Sequence, residues 1–91
     1  MEALAQFFAD MSDEQREVAI AAMEQKALFK RCGSELYAFV WSAEEHAWHC
    51  WKLERNAGEY RVNAELTKCT CPAWERDGRC KHCGMLRYGN L

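Results

Sequence analysis

The side chains best suited to chemistry crowd into one stretch, Cys69-Thr70-Cys71-Pro72-Ala73-Trp74-Glu75-Arg76-Asp77-Gly78-Arg79-Cys80-Lys81-His82. They form two tight pairs, Cys69/Cys71 and Cys80/His82, with eight residues between the pairs. Thiolates and imidazoles hold zinc in a closed tetrahedron when the role of the ion is structural. Two ligands one residue apart can both face one ion if the chain bends sharply there. Pro72, just after the first pair, and Gly78, before the second, are residues that supply such bends. The spacing C-x-C-x8-C-x-H is far more specific than one isolated pair, and it predicts one structural Zn²⁺. The residues alone leave the fourth ligand open. Cys80-Lys81-His82-Cys83 contains both C-x-H and C-x-x-C, so Cys83 competes with His82.

This wording resembles the SWIM zinc finger family, which is defined by C-x-C and C-x-H separated by a variable gap. Tyr60-Arg61-Val62 stands where the family has a strand with tyrosine and valine, and Cys-Thr-Cys-Pro, Trp74 and Cys-Lys-His also follow its pattern. The resemblance selects His82 over Cys83 and covers about the last third of the chain. It implies a non-catalytic module that binds DNA or other proteins, often within DNA-handling machinery. Met85 departs from the alanine that many members carry three residues after the histidine, which leaves any subfamily role open.

A chain of 91 residues is one small domain, 1–91. A domain this size buries only a little over 60% of its unfolded surface and is marginal without a staple. Six cysteines could instead form a disulfide framework. However, the N-terminus is acidic and lacks the basic region and long apolar run of a signal peptide. No stretch approaches the roughly 18 consecutive apolar residues of a membrane span. An intracellular, reducing setting is expected, with thiols free for metal. Charge is unevenly distributed: residues 67–91 sum to +3 and the preceding 66 residues to −5.

The elements around the finger read as small α+β: two N-terminal helices on a three-stranded antiparallel sheet, a zinc knuckle and a short C-terminal helix. Residues 1–33 read as a helical hairpin. Leu4, Phe7, Phe8 and Met11 mark a first amphipathic helix. Ser12 to Gln15 forms a capping box for a second, running to about Arg31 with Gly33 near its C-cap. Residues 34–66 switch to period 2 and read as a β-meander of Leu36–Trp41, His46–Leu53 and Tyr60–Leu66. Tyr37, Phe39, Trp41 and Trp51 are expected in the core. His46, His49 and Cys50 are expected as plain sheet residues, because His46 and His49 would point to opposite faces. Residues 67–91 are the finger.

No carboxylate pair, nucleophile constellation or phosphate loop appears, and four protein ligands leave zinc no open position, so an enzyme is not expected. Nucleic acid, DNA above RNA, is the expected partner, through Lys68, Arg76, Arg79, Lys81 and Arg87. The alternative is a protein-interaction adaptor or homodimer using the N-terminal helices or the aromatic sheet face, with zinc purely structural. No membrane partner is expected.

Overall fold

The computed structural model describes Ala9 and residues 11–89. Helix α1 spans Asp13–Glu24 and begins with the expected capping box. The Gln15 amide donates to Ser12 Oγ at 3.2 Å, and the Ser12 amide donates to Gln15 Oε1 at 2.9 Å. The helix stops well short of Arg31. Lys26 takes φ +61°, a left-handed conformation that no helix interior accommodates, and the chain turns there.

Four strands follow, β1 Leu28–Cys32, β2 Glu35–Ser42, β3 Ala47–Lys52 and β4 Glu59–Asn63, in one antiparallel sheet of order β1-β2-β3-β4. The sheet therefore has four strands rather than three, because the stretch expected to end the second helix is β1. Cys32 pairs with Glu35, leaving Gly33-Ser34 as a two-residue hairpin loop. Gly33, at φ +61°, supplies the positive φ that such a loop demands at its first central position. Most of the first expected helix falls on residues 1–8 and 10, outside the described residues; Ala9 is helical and exposed, and Met11 is buried.

The strand alternation divides the core into two clusters. Tyr37, Phe39, Cys50 and Val62 share one cluster with Cys69, Cys71, Cys83 and Met85. Leu36, Ala38 and Leu53 share the other with Ala19, Ala22 and Met11. The sheet thus carries α1 on one face and the finger on the other, so β2 serves both. Of the expected core aromatics, Tyr37 and Phe39 are buried and Trp51 packs on the α1 cluster. Trp41 is 40% exposed at the sheet end, edge-on to His46 and Trp48 at 5.3 and 5.4 Å between centroids.

His46 lies in the turn before β3 at φ +54°, not in the strand. His49 is a sheet residue. Its Nδ1 lies 2.8 Å from Glu59 Oε1, and its Nε2 contacts Glu45. The two carboxylates engage opposite ring nitrogens, so this trio cannot converge on one metal ion.

Candidate metal centre

β4 ends at Asn63 instead of running to Leu66, and that ending aims the first ligand pair. Asn63 Oδ1 accepts from the Thr67 and Lys68 amides, both at 2.8 Å, while its own amide donates to the Lys68 carbonyl at 3.1 Å. Leu66 takes φ +61° within this turn. The chain doubles back, and Cys69 bridges antiparallel to Val62. The Thr70 amide donates to the Arg61 carbonyl at 3.0 Å, and the Arg61 amide donates to Thr70 Oγ1 at 2.9 Å. Cys69 is thereby fixed to the edge of the sheet.

Each of the next two ligands sits at a helix start. Cys71 is the N-cap of α2, Pro72–Asp77, with Pro72 in the first turn, where its missing N–H costs nothing. Gly78 ends α2 at φ +69°, and its amide donates to the Trp74 carbonyl at 2.8 Å. That left-handed step reverses the chain toward Cys80, the N-cap of α3, Lys81–Tyr88. His82 lies in the first turn of α3 and points inward between two aromatic rings. Tyr37 meets it edge-on at 5.6 Å between centroids, and Tyr60 is tilted against it at 5.3 Å.

One ligand atom from each of Cys69, Cys71, Cys80 and His82 lies within 4.8 Å of all the others. Cys69 Sγ and His82 Nδ1 are 3.7 Å apart. Bonds of about 2.3 Å to sulfur and 2.0–2.1 Å to nitrogen put tetrahedral ligand atoms roughly 3.5–3.8 Å apart. The group therefore needs little contraction to close on a single ion. Cys69, Cys71 and His82 are buried and Cys80 is half-buried, with Cys71, Cys80 and His82 lining a cleft of about 460 Å³. Cys83 is buried beside the group but is not among its four members.

The electrostatics suit the same reading. Burial, with the Lys81 ammonium nearby, pushes the His82 imidazole down to about 4, so the ring is neutral and able to ligate. Burial opposes ionisation of Cys80, but the Cys83 amide and the Cys71, Cys69 and Cys83 thiols outweigh it and hold Cys80 below its ordinary value. Cys69 and Cys83 are pushed upward, burial being the main cause, Cys83 to about 12. These residues fit a zinc ion, which would lend the knuckle a rigid crosslink.

The family model of the SWIM zinc finger matches residues 60–86, which begin at Tyr60 and enclose all four ligands. That segment is similar to the SWIM zinc finger and carries a Cys₃His group able to hold one zinc ion. No curated protein and no solved structure matches the chain. No helix among the described residues is long and apolar enough to cross a membrane.

All five basic residues singled out from the sequence are exposed, but they do not form one patch. Lys81 turns toward Glu35, 3.5 Å from its Oε1, and lies 5.1 Å above the Tyr37 ring. It borders a cleft of about 460 Å³ that it shares with Glu35, Lys52 and Glu54. Arg76 pairs with its neighbour Asp77 at 3.4 Å. Arg79 and Arg87 line a different cleft, together with Trp74 and Tyr88. Tyr88 was not among the residues that the sequence pointed to. Helix spacing would have found it, since Gly84, Arg87 and Tyr88 stand at i, i+3 and i+4 and share one face.

Proposed function

We propose that the chain is a non-catalytic, zinc-stapled module that contacts nucleic acid through its finger end. The observation that carries this reading is the cleft holding Arg79 and Arg87 beside two aromatic rings. Two guanidiniums supply the sequence-independent attraction to phosphate on which such contacts rest. Lys68 and Arg76, both exposed on the same finger, add to it. Lys81, engaged by Glu35, contributes less. The family match supports a binding module over an enzyme. Titrating labelled DNA and RNA with zinc-loaded protein at low salt tests the reading. Binding should weaken steeply as salt rises, and Arg79→Ala with Arg87→Ala should weaken it for every sequence alike. Absence of binding to any single- or double-stranded probe would overturn it.

A second reading, a protein adaptor or homodimer, is favoured by one observation. Ile20 and Met23, three residues apart on α1, are 56% and 44% exposed, and α1 packs on the sheet face opposite the finger. The Arg79/Arg87 double variant leaves such a partner untouched, whereas Ile20→Ser with Met23→Ser releases it.

A further inference from the structure

We infer that the cleft between Trp74 and the end of α3 is a site for single-stranded nucleic acid, taking an unpaired base against Tyr88 and Trp74 and the adjoining phosphates against Arg79 and Arg87. The inference rests on the nucleic-acid reading above and narrows it to unpaired strands. The cleft measures about 530 Å³, within the roughly 300–1,000 Å³ typical of ligand sites. Its charged lining is Arg79 and Arg87, with no carboxylate among the described lining residues. The neighbouring cleft differs in kind, since Glu35 and Glu54 there face Lys52 and Lys81 and the charges offset one another.

Tyr88 is the most exposed large apolar side chain described, at 74%. Neither core cluster includes it, so packing among the described residues does not explain an aromatic ring in that position. Trp74 is half-buried, packing against the finger-face core while also lining the cleft. An exposed ring over a cationic cleft is how sequence-tolerant single-strand sites are built, because every base offers a π-face. A duplex keeps its bases stacked on one another and offers such a cleft only phosphates. The Arg87 guanidinium is held at the cleft wall, its Nη2 donating to the carbonyl of Leu66, another lining residue, at 3.3 Å. Gly78 and Gly84 bring no side chain into the space.

The test is anisotropy titration of the zinc-loaded full chain against a labelled single-stranded oligonucleotide and against the same sequence as a duplex. The single strand should bind at least about tenfold more tightly. Tyr88→Ala should weaken single-strand binding by on the order of 10- to 100-fold and leave duplex binding unchanged. Arg79→Ala with Arg87→Ala should reduce the log–log salt slope on the single strand by about 1.4, at roughly 0.7 for each phosphate no longer neutralised. Trp74 also supports the core, so Tyr88→Ala is the decisive variant, with zinc content and circular dichroism confirming that it folds. Equal affinity for both probes, or a silent Tyr88→Ala, overturns the single-strand site while leaving nucleic-acid binding standing. Failure to bind either probe overturns both.

Discussion

His82 and Cys83 are neighbours in sequence, and helix geometry separates their roles. In α3 consecutive side chains point about 100° apart, so one ion at the helix start can be faced by only one of them. The inward one is His82, held between Tyr37 and Tyr60 and kept neutral by burial. Cys83 is also buried, in the core that holds Cys69, Cys71 and Met85, and it meets Cys80 without joining the four-atom group. Replacing the two residues should therefore have unequal effects. His82→Ala should weaken zinc binding by more than the roughly 10–100-fold that loss of an outer-shell partner costs. Cys83→Ser should still bind one zinc per chain, as counted by native mass spectrometry. A Cys83→Ser chain without zinc would mean that the cysteine, not the histidine, closes the site. The three other ligands were legible because metal-ligand spacing is a property of the sequence itself. The choice between His82 and Cys83 rested on family resemblance, since it depends on helix phase, which spacing does not report.

At the scale of elements, the start of α1 was readable and its end was not. A capping box is a local contract between Ser12 and Gln15, and both of its hydrogen bonds form. Ser12→Ala should cost about 1 kcal/mol, read as a lower urea midpoint with zinc stoichiometry unchanged. Past Glu24 the apolar run Ala27-Leu28-Phe29 satisfies helix and strand periods equally, so the pattern could not separate them. The deciding features were the left-handed Lys26 and the partner strand β2, and partner choice is tertiary. Gly33-Ser34 was the available clue, as a hairpin loop read instead as a helix end. The same β2 also carries Glu35, whose carboxylate reaches Lys52 on β3 at 2.6 Å and Lys81 on α3 at 3.5 Å. The Lys52 hydrogen bond, against the desolvation of partial burial and with help from Lys81, holds Glu35 below its ordinary 4.5. A carboxylate lowered in the folded state stabilises above its unfolded value and loses that contribution as pH falls through the folded one. Glu35→Gln should thus be slightly less stable than the parent at neutral pH. The gap should close on acidification below about 4.5, as compared in paired urea titrations. These groups are only partly buried and reached by solvent, so the effect is small.

The whole molecule is a sheet with two different cores on its two faces, and only one of them contains the metal group. Ala19, Ala22, Leu36, Ala38 and Leu53 pack without it, whereas Cys69 and Cys71 are themselves part of the finger-face core. Apparent binding energies of structural zinc run to about 10–16 kcal/mol, against total stabilities of about 5–15 kcal/mol for whole domains. Stripping zinc with a strong chelator should therefore collapse amide dispersion across residues 60–89 first, with the capped helix α1 keeping partial helicity. An unchanged spectrum from metal-free protein would show that the two faces need no staple. The division of the sheet into two faces was legible from alternation alone, and Tyr37 and Phe39 lie with the finger as their parity requires. What alternation could not show is that β4 stops at Asn63 and folds back, since that turn depends on one side-chain oxygen accepting two amides. The most direct test of the whole account is zinc K-edge X-ray absorption on the loaded chain. It should show three sulfurs at about 2.3 Å and one nitrogen at about 2.0–2.1 Å. A shell of four sulfurs, or of two sulfurs with light-atom ligands making up the rest, would contradict it.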